Sequence, residues 1–190
     1  MARKVKKVSS ISNFKDRLIA GLFLVLILES TLLVFMAKKI SPSQNKSSKM
    51  AVLSLDPSSG SFKVGQEFEV KIILDTGDYE TDAADIRLSF EPKILAVTKI
   101  SQGKIYDDYP AKRVDLERGV VIINGVASIA SSFKGREVFA TISFKGLKPG
   151  KTDLIFEFAP LSTTDSNVVA TRIAKDVLGE IEGASLEISQ

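Results

Sequence analysis

The stretch from 18 to 37, LIAGLFLVLILESTLLVFMA, constrains this chain more than any other segment. It contains 20 residues with a single charge, Glu29, and lies between two basic segments. At about 1.5 Å of rise per residue, a helix of this length covers roughly 30 Å, the thickness of the hydrocarbon core of a bilayer. The sequence therefore predicts a single transmembrane helix over 18–37. A buried helix of a soluble core is the alternative, but no second helix is evident to pack against it.

The acid inside this segment does not prevent insertion. Thirteen of the 20 residues are Leu, Ile, Val or Phe, and together they favour insertion by roughly 4 to 8 kcal/mol. A central carboxyl group costs about 3 kcal/mol, so the balance stays favourable. Glu29, with Ser30 and Thr31, has the chemistry to hydrogen-bond a second copy of the helix. A protonated or locally solvated Glu29 without a role is the alternative, and both remain open.

The flanking segments predict the orientation of the anchor. Residues 1–17 contain six Lys or Arg against one Asp, and residues 38–49 contain four Lys. The larger positive charge before the apolar run predicts a cytoplasmic tail over 1–17 and a single-pass protein of the cell membrane. A cleaved signal peptide is disfavoured, because the apolar core of a signal peptide is shorter than this run and is followed by a cleavage site with small residues. The Ser-rich segment 38–49 then reads as a flexible linker to an extracytoplasmic domain over 50–190.

Charge and composition exclude several functions for that domain. The chain carries a net charge of +3, and residues 1–49 alone carry +8, so residues 50–190 carry −5. An acidic domain lacks the basic face that nucleic-acid binding requires. The chain contains no Cys and no His, which excludes disulfides, histidine-based acid–base catalysis and ordinary zinc sites. We therefore expect no enzymatic activity and no cofactor.

From residue 50 onward the hydrophobic pattern has a period of two. Four segments alternate apolar and polar residues, as half-buried strands do. Their inward positions are Phe68, Val70 and Ile72; Ala84, Ile86, Leu88 and Phe90; Val138, Ala140, Ile142 and Phe144; and Leu154, Phe156 and Phe158. Further strands are predicted at 50–56, 94–100, 119–127 and 180–188, with a bulge near Gly183 where the alternation slips. Eight or nine short strands separated by Gly and Pro turns predict an antiparallel β-sandwich.

An ordered series of motifs gives this domain a family resemblance. The opening LSLDPSSGSFKVGQEFEVKIILDTG is followed by AADIRLSFEPKILAVTKISQGKI, then by VVIINGVAS and EVFATISFKGLKPGKTDL. Thr164-Asp165-Ser166-Asn167 precedes the last strands. In this order the motifs resemble the cohesin family over nearly all of 51–188, with Phe90-Glu91-Pro92 in the place of a Tyr-Asp-Pro.

The resemblance implies a nine-stranded jelly-roll sandwich that binds dockerin modules of other proteins through one sheet face. Cohesins are scaffold components, and the broad fold is shared with carbohydrate-binding modules. An Asp on the third strand takes part in dockerin recognition, and Asp85 matches it. The polar residue two positions earlier in the family pattern is replaced here by Ala83.

The residues of that strand support the same surface independently. Asp85, Arg87 and Ser89 have outward parity, and alternating charges and hydroxyls can recognise a partner by charge complementarity and hydrogen bonds. Phe139 and Ile155 also have outward parity on other strands and are predicted to supply an apolar centre. A simply solvated face is the alternative. Direct binding of polysaccharide, or a purely structural envelope domain, are the alternative functions.

Two other constellations carry weaker signals. Acids at 75, 78, 80, 82 and 85 surround a Gly-containing loop, and Ca²⁺ takes such oxygen ligands, although the spacing does not match an EF-hand. Asp107-Asp108-Tyr109-Pro110, with Tyr106, combines carboxylates and aromatics suited to sugar contacts. Adjacent carboxylates on one loop do not face each other across a cleft, as a glycosidase requires. The sequence therefore predicts a surface turn at this position, and no metal.

Overall fold

A computed structural model describes residues 17–19, 21, 48–128, 131–160, 162 and 164–190. Of the predicted tail, anchor and linker, only residues 17–19, 21, 48 and 49 are described, and the rest lies outside the described part of the chain. Among the described residues, no helix has the length and apolar character needed to cross a membrane. The transmembrane helix at 18–37 and its orientation therefore stay predictions.

The domain is an all-β sandwich, as the sequence predicted, but it has more strands than the eight or nine expected. The described residues contain thirteen. They are β1 (Ala51–Asp56), β2 (Ser59–Lys63), β3 (Glu67–Asp75), β4 (Thr81–Ser89), β5 (Leu95–Gln102), β6 (Asp108–Asp115), β7 (Val120–Val126), β8 (Arg136–Gly146), β9 (Gly150–Phe156), β10 (Asn167–Ala170), β11 (Lys175–Asp176), β12 (Leu178–Glu182) and β13 (Ala184–Ser189).

These strands form two layers. One sheet has five strands in the order β12-β1-β3-β8-β5. The other has eight, in which β4 pairs with β7 along one edge and β7 pairs with β6. The second edge of β4 is shared, because β10 pairs with its first half and β9 with Leu88 and Ser89. The shared edge places several short strands around β4.

The inner sides of the two sheets meet in one hydrophobic core, and most of the predicted inward positions lie in it. Ile72, Ile86 and Leu154 are each at most 1% exposed. The alternation of buried and exposed residues along β3 and β4 confirms the predicted parity of both strands. Burying side chains of this size contributes roughly 1.5 to 3 kcal/mol each, which is why the period-two pattern determines the face of each strand.

The prediction for Phe139 was wrong. Phe139 is fully buried, and Val138, which was predicted to point inward, is only partly buried. The cause is a bulge in β8. Ile72 pairs with Ala140 and Ile73 with Val138, so Phe139 is an extra residue without a paired residue on β3. A bulge of one residue changes the face of everything before it. Phe139 therefore packs into the core, beside the rings of Tyr106 and Tyr109.

The last predicted strand, 180–188, is two strands in different sheets. β12 pairs with β1 in the five-stranded sheet, and β13 pairs with β9 and β2 in the other. The chain crosses between layers at Gly183, where a Cβ would lie 2.5 Å from the carbonyl oxygen of Leu154. A crossover, and not the predicted bulge, explains the slip in alternation. The pairings β1–β12 and β13–β2 are parallel, so the sandwich is not purely antiparallel.

Candidate functional site

The predicted site residues Asp85, Arg87 and Ser89 lie on the outer side of β4. Their neighbours Ala84, Ile86 and Leu88 belong to the core, which confirms the outward parity. All three are half-buried and not freely solvated. We define the β4 face as the outer sides of β6, β7, β4 and β10, together with the end of β9 beside Ser89.

Asp85 is held by an amide on the next strand. The register places Asn124 of β7 opposite Asp85, with Asn167 of β10 on the other side. The Nδ2 of Asn124 donates a hydrogen bond to Oδ1 of Asp85. The Oδ1 of Asn124 is buried and accepts no hydrogen bond from the described residues. Asp85 is thus an oriented carboxylate, and its Oδ2 accepts none from the described residues.

Arg87 lies beside an apolar residue that is buried on the outer side of the sheet, away from the core. Ile122 of β7 is opposite Arg87, and Arg113 of β6 is opposite Ile122. Ile122 is only 8% exposed, and Val120, opposite Ser89, is 2% exposed. Neither belongs to the core between the sheets. The register places long side chains on both sides of Ile122, and the stems of such side chains commonly cover apolar surface.

Ser89 connects the face to the end of β9. Its Oγ donates a hydrogen bond of 3.2 Å to Oε1 of Glu157, and Nη2 of Arg118 lies 3.7 Å from the same oxygen. Ile155 pairs with Ser89 and is 54% exposed, so its predicted outward position is confirmed. An apolar side chain, a hydroxyl and a charge pair therefore lie side by side at this end.

Ser166 closes the seam where β9 and β10 share the edge of β4. Its buried Oγ accepts a hydrogen bond of 2.9 Å from the backbone N of Arg87 and donates one of 3.2 Å to the carbonyl oxygen of the same residue. The backbone N of Ser166 donates to the carbonyl oxygen of Glu157 at 2.8 Å. The hydroxyl thus bonds to both backbone groups of Arg87, whose carbonyl oxygen also accepts the backbone N of Glu157 at 2.9 Å, and the face continues across the seam.

The five acids considered for calcium do not converge. Asp75 accepts hydrogen bonds from Gly77 N at 3.0 Å and Lys49 Nζ at 2.9 Å, and these contacts hold the pKa of Asp75 below its usual range. Asp78 accepts the backbone N of Lys49, and Glu80 lies 3.8 Å from Arg172. No group of three or more such ligands forms among the described residues. Asp75, Asp78 and Glu80 therefore have separate partners, and the described residues assemble no calcium site.

The predicted surface turn at 107–110 was wrong, because Asp108 begins β6 and two of its aromatic neighbours are buried. Tyr106 and Tyr109 are 5% and 4% exposed. Their hydroxyls bond to Oγ1 of Thr81 at 2.8 Å and to the carbonyl oxygen of Phe139 at 3.0 Å. Burial raises the pKa of each tyrosine to about 12. These rings are core residues and offer no platform on which a sugar could stack.

Sequence reasoning missed Asn124 and Ile122. Both lie in a run of apolar residues, VVIINGV, in which no alternation marks one face as outer. The alternation along β4 marks its outward residues, but the residues that β7 contributes to the same face follow only from the register. In the structure Gly125 faces the core between Phe139 and Tyr106, which places Asn124 on the opposite side, and the sequence alone carries no signal for this.

Comparisons with known proteins agree on one family. A model of the Cohesin domain matches residues 51–182. A search of the curated proteins gives no match. Among solved structures, the third cohesin of ScaC in complex with the ScaB dockerin from Acetivibrio cellulolyticus has a TM-score of 0.61 at 16% identity, covering 74% of this chain and 100% of that one.

Two further structures widen the comparison. The cohesin of a type I cohesin–dockerin complex from Clostridium thermocellum has a TM-score of 0.61 at 14% identity, over 74% of this chain and 100% of that one. A non-cellulosomal cohesin from the archaeon Archaeoglobus fulgidus has a TM-score of 0.57 at 12% identity, over 75% and 93%. At such identities the structural similarity establishes the fold alone.

Proposed function

The chain belongs to the cohesin domain family, and from this premise we propose that residues 50–190 bind a dockerin-bearing protein through the β4 face. Cohesins are non-catalytic binding modules, and the chain is accordingly not an enzyme. Two of the similar structures are complexes with dockerins, which supports a dockerin as the partner. We further propose that the complex serves polysaccharide degradation or attachment at the cell surface.

One observation carries the choice of face. On the β4 face an oriented carboxylate, Asp85, lies beside Arg87, and the same face exposes the apolar side chains of Val126 and Ile155, at 42% and 54%. A carboxylate fixed before binding loses little rotamer freedom when it meets a partner, which favours affinity. Apolar residues at the centre of a patch with charges around them are the usual composition of a protein interface.

Direct binding of polysaccharide has less support. The chain has no Trp and three Tyr, and Tyr106 and Tyr109 are in the core. The remaining tyrosine, Tyr79, packs partly against the same core. Without exposed aromatic rings on the described surface, the sheet offers hydrogen bonds but no stacking surface for sugars.

The function is tested by alanine substitutions on the two outer surfaces. Asp85→Ala and Arg87→Ala are measured against a panel of purified dockerin modules that includes the ScaB dockerin of Acetivibrio cellulolyticus. Glu69→Ala and Lys71→Ala are the matched controls, because they remove the same charges from the exposed outer side of β3. Removal of a charge from an interfacial pair typically costs 2 to 5 kcal/mol, so at least a tenfold loss of affinity is expected for Asp85→Ala.

The outcomes separate the candidate functions. Equal affinities for Asp85→Ala, Arg87→Ala and the two controls would remove the β4 face from the site. Absence of binding to every dockerin would favour a structural envelope domain. Binding to an array of polysaccharides, with no dockerin bound, would favour the carbohydrate hypothesis.

We also propose that the domain is held outside the cytoplasm by residues 18–37, with residues 1–17 inside. The length of the apolar run and the basic residues before it support this orientation. Protease added to intact cells should digest residues 50–190 and leave an N-terminal tag protected. Digestion of that tag with the domain intact would reverse the orientation.

A further inference from the structure

One row of side chains across the β4 face contains no polar group at its centre. Ala83 of β4 lies between Val126 of β7 and Val169 of β10 in the register. Val126 is 42% exposed, and the other two are half-buried. None of the three belongs to the core, since their chain neighbours Ala84 and Val168 point inward. The three residues, which we name the Ala83 row, form a small apolar surface on the outside of the sheet.

Charged groups frame this row without entering it. Asp85 lies two residues further along β4, in the adjacent row, and Asp108 of β6 is opposite Val126. Asp176 of β11 is opposite Val169, but its Oδ1 already accepts the backbone N of both Val168 and Leu178 at 3.0 Å. Among the described residues, Asp85 and the exposed Asp108 accept only one hydrogen bond each, at Oδ1, from Nδ2 of Asn124 and from the backbone N of Tyr109, so they are the more available carboxylates.

We propose that the partner places an apolar side chain on Ala83, between Val126 and Val169, with a basic side chain beside it that reaches Asp85 or Asp108. The proposal rests on the β4 face being the partner site. Ala83 is the smallest residue of its row, so the surface is lowest there and an inserted side chain contacts a valine on each side. This assigns Ala83 and Val126 as residues that decide which partner binds.

Burial and hydrogen bonding favour an apolar occupant. The backbone groups of β4 at Ala83 face strands on both sides, so they are largely engaged in the ladders. A hydroxyl or amide buried over Ala83 would give up its bonds to water and find no partner on these three side chains. An apolar group at the same place gains contact with both valines and leaves no polar group unpaired.

The spacing also fits a basic neighbour. Residues two apart on a strand are separated by about 7 Å, which is the distance from the Ala83 row to the row of Asp85. A partner with an apolar side chain and a basic side chain on one surface, roughly that far apart, meets both rows together. An acidic neighbour would instead face Asp85 and Asp108 and be repelled.

The test uses the full 190-residue chain, held by an N-terminal tag, and the dockerin panel described above. Val126→Ser and Ala83→Asp change the Ala83 row, and Asp85→Ala reports the adjacent row. Val52→Ser and Thr141→Asp are controls at half-buried outward positions of β1 and β8 in the other sheet. The binding dockerin is also changed, one apolar surface residue at a time, to Asn.

We expect Val126→Ser and Ala83→Asp each to weaken dockerin binding at least tenfold, with the controls within twofold and the thermal midpoints unchanged. One dockerin variant should bind the unaltered chain more weakly than the unaltered dockerin does. The same variant should bind Val126→Ser no more weakly than it binds the unaltered chain, and this identifies the apolar side chain that contacts Val126. Unchanged affinity in both Ala83-row variants, with Asp85→Ala still weakened, overturns this inference and leaves the proposed function standing. Insensitivity of binding to all three variants overturns both.

Discussion

The two outer surfaces of the sandwich look alike in sequence and differ in structure. On β3, Glu67, Glu69 and Lys71 alternate with core residues and are all exposed. On β4, Asp85 and Arg87 alternate in the same way, yet both are half-buried, and Asp85 is hydrogen-bonded to Asn124. Alternating charge alone therefore identifies an outer face but not a binding face.

The difference arises from the neighbouring strand. β3 is flanked by Ser143 and Thr141 of β8, small polar residues that leave the charges in water. β4 is flanked by β7, which contributes Ile122 and Val120 to the outside. Ile122 and Val120 are already covered by neighbouring side chains of the β4 face, and this close packing leaves the charges of the face half-buried. A surface that holds its charges in fixed positions is better suited to recognition than one whose charges are freely solvated.

The largest effect that would break this comparison concerns the parity of β4. Ile86 is 1% exposed in the core, whereas its neighbour Arg87 lies on the β4 face. Ile86→Asp should unfold the domain, because an unpaired buried charge costs several kcal/mol out of a typical total of about 5 to 15 kcal/mol. Arg87→Ala should remain folded. Circular dichroism and thermal unfolding of both variants measure this, and the reverse result would mean that β4 is inverted.

The next effect concerns β6, the strand that lies beyond β7 on the β4 face, as β5 lies beyond β8 in the other sheet. Tyr106 and Tyr109 anchor its start, and burial raises the pKa of each from the ordinary 10 to about 12. The folded state disfavours tyrosinate, so this stability is present below pH 10 and is lost as the pH rises from 10 to about 12. One pKa unit corresponds to about 1.4 kcal/mol, so the loss is on the order of 2 kcal/mol per tyrosine.

Ultraviolet absorbance of tyrosinate, followed with circular dichroism across this pH range, measures the alkaline transition. In Tyr109→Phe one late-titrating group should disappear, and the loss of stability on raising the pH should become smaller. Ionisation of both phenols well before any change in circular dichroism would show that they are not held in the core.

The smallest effect separates two isoleucines of the β4 face. Ile122 is 8% exposed and Ile155 is 54% exposed. Ile122→Thr should lower the free energy of unfolding by about 1 to 2 kcal/mol, because it removes buried apolar volume and adds a hydroxyl. Ile155→Thr should change it by less than about 0.5 kcal/mol. Chemical denaturation of both variants gives the two values, and equal values would mean that Ile122 is not covered.

The sequence was sufficient for the fold class and for the orientation of most long strands. A strand such as β3 has one polar and one apolar side, so burial alone assigns its residues to the core or the outside. The same local reasoning placed Asp85, Arg87 and Ser89 on an outer face. Their role in binding a partner stays a prediction, because it depends on a second molecule.

The misses have a common physical origin. Phe139 changed sides because Val138, Phe139 and Ala140 are three consecutive apolar residues, and no local rule states which of them is the extra one. Asn124 was missed because its contact with Asp85 joins positions 39 residues apart in the chain. β2 and β6 were missed because their residues become strands by pairing with β13 and β7, and their own sequences contain Gly and Pro.

The crossover at Gly183 has a consequence for an incomplete chain. Because β12 and β13 belong to different sheets, both sheets are completed only by the last strands of the chain. The strand partner of β2 is β13, which lies more than 120 residues later. A chain interrupted before Gly183 leaves the edge of β9 unpaired and β2 unattached, and an open strand edge is a template for aggregation. A chain interrupted there should therefore be insoluble and not merely less stable. Pairings between distant segments are slow to form, so the open edge is also exposed for longer during folding.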